Sequence, residues 1–240
     1  MGGDGERVII ALNRIDDVFT KFPQPSLSWL SREERLRYKS FTSGTRQQQF
    51  LCGRFLARQA ISHMHGDAWY AYYLSAPEGE APRLIGQAEL AGLNTLSISI
   101  SHTDGWVACA LSFKPVGVDI QSRKKQRDIL GLSQMIKFDL LQVLDPSATD
   151  QSQIFYAQWG LREAWIKQSD SVMKSATIPR FVAGKNAGDG FDGLVSDTGD
   201  ATLAVYPASL ETIEMAKESI HVDNWTHWHP LPATIVRTPL

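Results

Sequence analysis

Leu96-Ser97-Ile98-Ser99-Ile100-Ser101-His102-Thr103-Asp104-Gly105-Trp106-Val107-Ala108-Cys109-Ala110-Leu111 is the stretch whose reading decides the fold class. From Leu96 to Ser101 apolar and hydroxyl side chains alternate without a break, which is the two-residue period of a strand with Leu96, Ile98 and Ile100 on one face. Thr103-Asp104-Gly105 supplies a turn, and Trp106 to Leu111 returns as an apolar strand. Lys114-Pro115 turns the chain again, and Val116-Gly117-Val118-Asp119-Ile120-Gln121 alternates once more. The expected unit is a three-stranded antiparallel meander. Val116, Val118 and Ile120 point to its core, and Gly117, Asp119 and Gln121 point to its open side.

Upstream, Arg7 to Leu12 reads as a short buried strand. Ser31-Arg32-Glu33-Glu34 matches a capping box and opens a helix that continues through Phe41. Its face of Arg32, Arg35, Arg37 and Lys39 reads as solvated. A second helix is expected from Arg46 to His63, with Gly53-Arg54 in its middle. Glycine there costs roughly 1 kcal/mol against alanine, which signals close packing or the approach of a ligand. Arg58 reads as a surface residue of this helix, Cys109 and Trp106 as core. Tyr70 to Leu74 is an expected strand, and Ala76 to Leu93 is loop-like.

Downstream, the basic cluster Arg123 to Arg127 leads into a helix expected over Asp128 to Leu144. A loop over Asp145 to Asp150 and a helix over Gln151 to Gln168 follow. Ser175 to Gly190 reads as loop-rich, Phe191 to Val195 and Thr202 to Tyr206 as short strands, and the His- and Trp-rich tail at Asn224 to His229 as surface decoration. Helices packed on short antiparallel strands in each half of the chain define an α+β class.

Composition narrows the function classes. The 240 residues, 43% apolar and 21% charged, are ordinary for a globular protein. Twenty-four basic against 26 acidic side chains leave a net charge of -2, where general nucleic-acid binding usually brings a basic excess. The two cysteines, Cys52 and Cys109, lie in apolar contexts and read as reduced, buried thiols. With neither a long apolar run nor a signal pattern, the expectation is a cytoplasmic chain with no membrane or nucleic-acid partner.

Trp159-Gly160-Leu161-Arg162-Glu163-Ala164-Trp165-Ile166-Lys167 places a charged pair inside a stretch apolar enough to be core. On a helix Trp159, Glu163 and Lys167 form one row, with Leu161 and Trp165 on another side, so the helix should be largely buried and its carboxylate should open into a cleft. Asp119, 44 residues earlier, is close enough in the chain to share that cleft. Two carboxylates, the amide of Gln121 and water suit a hard cation such as Mg²⁺ held jointly with a phosphate. Lys167, Ser101 and His102 add donors for phosphate oxygens. Taken singly, an ordinary helix ion pair and a satisfied strand-end histidine explain these residues as well.

Together and in order, they resemble the 4′-phosphopantetheinyl transferases, and among them the larger, monomeric surfactin-synthetase-activating type. The stretches that carry the likeness are Ile100 to Val107, Val116 to Ile120 and Trp159 to Lys167, with a looser match at Gly53-Arg54-Phe55-Leu56-Ala57-Arg58 and Pro82-Arg83-Leu84. The resemblance implies transfer of the phosphopantetheine arm of coenzyme A to a serine of an apo acyl or peptidyl carrier protein, with release of adenosine 3′,5′-bisphosphate. It implies Asp119, Glu163 and Gln121 around Mg²⁺, with Mn²⁺ as a substitute, and Glu163 and Lys167 in the catalytic roles. It also implies Ser101, His102 and Lys167 on phosphate oxygens, and Arg54 or Arg37 at the nucleotide end. The implied fold is two similar lobes related by a pseudo-twofold, residues 1–116 and 117–240, the second carrying the metal site. Gln121 departs from the pattern, since many relatives carry Glu there, and Glu34 occupies a stretch where some relatives carry Lys for the nucleotide 3′-phosphate. A coenzyme A or carrier-protein binding module of the same fold, without transfer, is the alternative.

Overall fold

The computed structural model describes residues 7–21, 26–86, 93–124, 127–135, 151–169, 179–184, 192–217 and 219–231. Two antiparallel-rich sheets, each backed by a long helix, stack into four layers. The first sheet has the order β10-β1-β5-β4, with β1 at Val8–Arg14, β4 at Ser97–Thr103, β5 at Trp106–Ser112 and β10 at Ile213–Met215. The second has the order β6-β9-β8-β11-β7, with β6 at Gly117–Ser122, β7 at Arg180–Ala183, β8 at Gly193–Asp197, β9 at Ala201–Tyr206 and β11 at Trp225–Leu231. A two-stranded ribbon, β2 at Tyr73–Leu74 and β3 at Leu84–Ile85, stands apart. Among the described residues no helix is long and apolar enough to cross a membrane.

The helices are α1 at Ile15–Lys21, α2 at Arg32–Ser40, α3 at Gly44–His65, α4 at Ile129–Met135 and α5 at Gln151–Gln168. Period-2 alternation sorts the strands between the layers. Ile9 and Ala11 of β1, Val107, Cys109 and Leu111 of β5 and Ile98 of β4 face α3, where Leu51, Phe55 and Leu56 meet them. Ile10, Leu12, Trp106, Ala108 and Ala110 face the other way and pack on Val118, Ile120, Leu203 and Val205 of the second sheet. Ala204, Phe181 and Tyr206 on the far side of that sheet take Ala157, Leu161 and Ala164 of α5. Gly53 lies where a Cβ would come within 2.9 Å of Ile100, so this glycine marks the close packing of α3 on β4.

The meander read from the sequence is a hairpin plus a crossing. β4 and β5 pair as expected, Ser101 opposite Ala108. β6 does not join them, because β5 already has β4 on one edge and β1 on the other. It pairs instead with β9, Asp119 opposite Ala204. Nor is the Asp119 face open: α5 covers it, and Asp119 is buried. The contact is possible because Gly117 and Gly160 lack side chains. A Cβ at 117 would lie 1.8 Å from the Ala164 carbonyl oxygen, and one at 160 would lie 2.9 Å from the Ala204 methyl.

Ile15–Lys21, where the sequence gives no clear pattern, forms a helix. Other expectations are revised. In place of a strand over Tyr70 to Leu74, Trp69–Ala71 is a 3₁₀ turn ahead of the two-residue β2. β7 lies inside the stretch read as loop-rich, and the His- and Trp-rich tail is β11, with Trp228 buried. Trp225 and Trp228, three residues apart, lie on opposite faces of β11, Trp225 against the layer between the sheets and Trp228 on the α5 side, and the strands that flank them come from distant segments. Helix α4 is described as far as Met135; the rest of the expected helix to Leu144, the loop at Asp145 to Asp150 and Phe191 lie outside the described residues.

Arg58 is no surface residue. It is fully buried with Glu34, Nη2 to Oε2 at 2.6 Å and Nη1 to Oε1 at 3.0 Å, and its Nε donates to the Tyr72 carbonyl at 2.9 Å. Glu34 also completes the capping box by accepting from the Ser31 amide at 2.7 Å. Glu34 therefore faces α3 rather than a nucleotide. Breaking a buried, bidentate pair on one side leaves an uncompensated charge. Arg58→Met is expected to cost about 3–5 kcal/mol of stability in urea unfolding, and Glu34→Leu combined with Arg58→Met to recover most of that loss.

Candidate functional site

Strands β4 and β6 lie side by side with no backbone ladder between them. Hydroxyls fill the gap: Ser97 Oγ accepts from the Val116 amide at 3.2 Å, Ser99 Oγ from Val118 at 3.0 Å, Ser101 Oγ from Ile120 at 3.3 Å and Thr103 Oγ1 from Ser122 at 3.3 Å. The polar half of the Ser-Ile-Ser-Ile-Ser alternation is thus an adhesive edge. Its apolar half, Ile98 and Ile100, faces α3.

At Ser101 this edge meets charge. Asp119 Oδ1 accepts from Lys167 Nζ at 2.6 Å and from Ser101 Oγ at 2.8 Å, and its Oδ2 accepts from Gln121 Nε2 at 2.7 Å. Lys167 Nζ also donates to Ser101 Oγ and to the Val118 carbonyl, each at 3.1 Å. Glu163, one helical turn before Lys167, is held above the ordinary carboxylate range, first by burial and then by the neighbouring charge of Asp119, with Lys167 and Arg162 opposing. The Asp119 and Glu163 carboxylates, with the Gln121 amide bonded to Asp119, are an oxygen-rich donor set whose chemistry fits one hard divalent cation. Among the described residues no group of three or more His, Cys, Asp and Glu forms a ligand cluster, so such a cation would need oxygens from outside the chain.

Lys167 lines a cleft of about 750 Å³ as well. His102 and Gly53 form part of its wall, and Arg37, Arg46, Arg54 and Arg83 bring positive charge to it; among the described residues that line it, Glu80 is the one carboxylate. His102 titrates below the ordinary histidine value, because it is buried and because Arg46 and Lys167 stand near it. Arg54 donates to the Ser75 carbonyl at 2.9 Å and lies over the Phe50 ring; burial lowers it to about 10, so it remains a cation at neutral pH. Arg37 bonds Glu78 at 2.8 Å on the rim.

All eight residues singled out from the sequence, Arg37, Arg54, Ser101, His102, Asp119, Gln121, Glu163 and Lys167, lie in this neighbourhood. Ser101 turns its hydroxyl to Asp119 and β6, while His102, Lys167, Arg37 and Arg54 line the cleft. Arg46 and Arg83 are cleft residues to which the sequence reading gave no role. Arg46, Phe50 and Arg54 follow at i, i+4 and i+8, so one helical face already carried the signal. Within the basic cluster, Arg123 bonds Asp197 and Lys124 pairs with Asp200 at 3.0 Å, so both are engaged with the β8–β9 turn; Lys125 and Gln126 lie outside the described residues.

The raised Glu163 carboxyl has a sign that can be checked. The folded chain binds this proton more tightly than the unfolded one, so the associated stability is complete below the ordinary value of 4.5 and is lost as pH rises through the raised value. Glu163→Gln abolishes the titration. Thermal melts of Glu163→Gln and the parent chain are expected to show the variant gaining on the parent as pH rises from 4.5 to 7, with no such gain on going from pH 4.5 to 4.

No protein-family profile matches the sequence. Curated proteins do. The 4′-phosphopantetheinyl transferase Sfp of Bacillus subtilis (strain 168) is 26% identical over 142 residues, 59% of this chain and 61% of Sfp. The 4′-phosphopantetheinyl transferase ffp of Bacillus subtilis is 28% identical over 144 residues, 59% of this chain and 61% of ffp. The 4′-phosphopantetheinyl transferase gsp of Aneurinibacillus migulanus is 33% identical over 85 residues, 35% of this chain and 34% of gsp. The chain therefore spans about three fifths of the length of the first two relatives. By sequence, it is similar to the 4′-phosphopantetheinyl transferases of the Sfp and Gsp type.

Proposed function

We propose that the protein transfers the 4′-phosphopantetheine arm of coenzyme A to a serine hydroxyl of an apo acyl or peptidyl carrier protein. The observation that carries this reading is a cation-lined cleft whose Lys167 also holds the buried Asp119 carboxylate, with half-buried Glu163 one helical turn away. The cleft matches a ligand with several phosphates, and the carboxylate pair matches the cation that accompanies a pyrophosphate. Coenzyme A has both features. In the reaction the serine oxygen bonds to the β-phosphorus, the bond from that phosphorus to the bridging oxygen breaks, and adenosine 3′,5′-bisphosphate leaves with the electron pair.

Asp119, Glu163 and the Gln121 amide oxygen would hold Mg²⁺, or Mn²⁺ in its place. When bound, such an ion neutralises the pyrophosphate. The chain's residues supply the rest. Lys167 and His102 bind phosphate oxygens, and Arg37, Arg46, Arg54 and Arg83 take the nucleotide end. Glu163, or a water that it orients, takes the proton that leaves the serine hydroxyl. Displacement at phosphorus requires charge neutralisation and alignment more than covalent help, so a site built from cations and carboxylates is sufficient. The reading goes with a monomer of two similar lobes, divided at residues 116 and 117, in which β10 of the second half pairs with β1 of the first.

Incubation with coenzyme A, Mg²⁺ and an apo carrier protein is expected to add the mass of one phosphopantetheine to the carrier. Asp119→Ala and Glu163→Ala are expected to slow the addition at least about a hundredfold. Binding of coenzyme A without any gain in carrier mass, across several carriers, would replace transfer with a binding role. Gln121→Glu adds a third carboxylate and is expected to lower the Mg²⁺ concentration for half-maximal rate; an unchanged metal titration would remove residue 121 from the cation.

A further inference from the structure

The hydroxyl ladder between β4 and β6 joins two sheet edges. β4 ends the first sheet and β6 ends the second, and each would otherwise present unpaired backbone groups. The four bonds keep one register, each residue of β4 or its end bonding the residue 19 positions later. The two strands carry different halves of the site: His102 projects from β4 into the cleft, whereas Asp119 sits on β6 under α5. A slip of β4 along β6 would change the distance between phosphate-binding and carboxylate groups while leaving each half intact.

We propose that Ser99 is a positioning residue that fixes this register. Its hydroxyl holds the amide of Val118, and the carbonyl of that same residue holds the Lys167 ammonium. Ser99 is buried, and the bond to Val118 is the shortest of the four. Ser101 repeats the arrangement one step on, accepting from Ile120 while donating to Asp119. A backbone ladder would place the strands at a single fixed spacing, about 4.8 Å. Here the acceptor of the Val118 amide is a side-chain hydroxyl instead, and Lys167 contacts both strands beside it, Ser101 of β4 and Val118 and Asp119 of β6. The hydroxyl, more than the size of residue 99, is therefore the feature that matters, and Thr103 does the same work with the other hydroxyl side chain.

The part of this inference that concerns transfer rests on the proposed activity, and the test separates the two. Residue-resolved amide exchange of the whole chain is expected to show Val118, Ile120 and Ser122 protected. Ser99→Ala is expected to speed exchange of the Val118 amide about tenfold or more while the β8–β9 ladder keeps its protection. In carrier loading, Ser99→Ala is expected to lower kcat about tenfold or more with KM for coenzyme A within about twofold, since misalignment acts on the reacting geometry more than on cleft binding. Ser99→Thr is expected to restore both exchange and kcat. Parental kcat in Ser99→Ala with Val118 exposed would make the ladder structural only and overturn the proposal. Fast exchange of all three amides in the parent chain would overturn it without any variant. Loading by neither parent nor variant, with the exchange pattern as expected, would overturn the transferase reading and uphold the ladder.

Discussion

Everything in the site depends on two sheet edges being held together without sharing a backbone ladder. Side-chain oxygens of Ser97, Ser99, Ser101 and Thr103 satisfy the amides that β6 turns toward β4. A buried amide left unpaired costs about 1–3 kcal/mol, so these contacts constrain the strands strongly even though each bond is modest in net terms. Lys167 bridges the two strands where these acceptors lie. From one position the ammonium reaches the Ser101 hydroxyl, the Val118 carbonyl and the Asp119 carboxylate.

The second constraint is the closeness of α5 to β6. Gly117 and Gly160 remove the side chains that would separate the helix from the sheet. Leu161 and Ala164 then lock the helix onto Ala204, Phe181 and Tyr206. Glu163 and Lys167 come along on the same helix, at the level of Asp119. Burial sets the electrostatics there: a single ammonium faces Asp119 while Glu163 is pushed toward its neutral form. The cleft wall on the other side is held by a different buried charge. The Arg58–Glu34 pair ties α2 to α3, which keeps Arg37 of α2 and Arg46 and Arg54 of α3 around one cavity.

Much of the site was legible because its residues lie on elements with clear periods. Asp119 fell on the side of β6 opposite Val118 and Ile120, and Glu163 and Lys167 fell in one row of a helix. Gly53 was recognised as a close approach from its cost in a helix interior. Glu34 was read correctly as the capping-box residue, but Arg58 was misread because an arginine in a helical pattern is usually exposed, and nothing local reveals a partner 24 residues away. The tail at Trp225 to Leu231 was misread for the same reason, since its neighbours β7 and β8 come from distant segments.

By itself the sequence determined which residues share a face, where α2 begins and which side chains are apt to meet phosphate or a hard cation. These are local properties, set by side-chain period, capping and chemistry. Only the tertiary structure decided what each face meets. The hydroxyls of β4 could have faced water, as alternation alone would suggest, but β5 is paired on both edges and β6 must go elsewhere. It lies along the free edge of β4, and the hydroxyls become its acceptors. Strand pairing is a competition between distant segments for a limited number of edges, and no local pattern states its outcome.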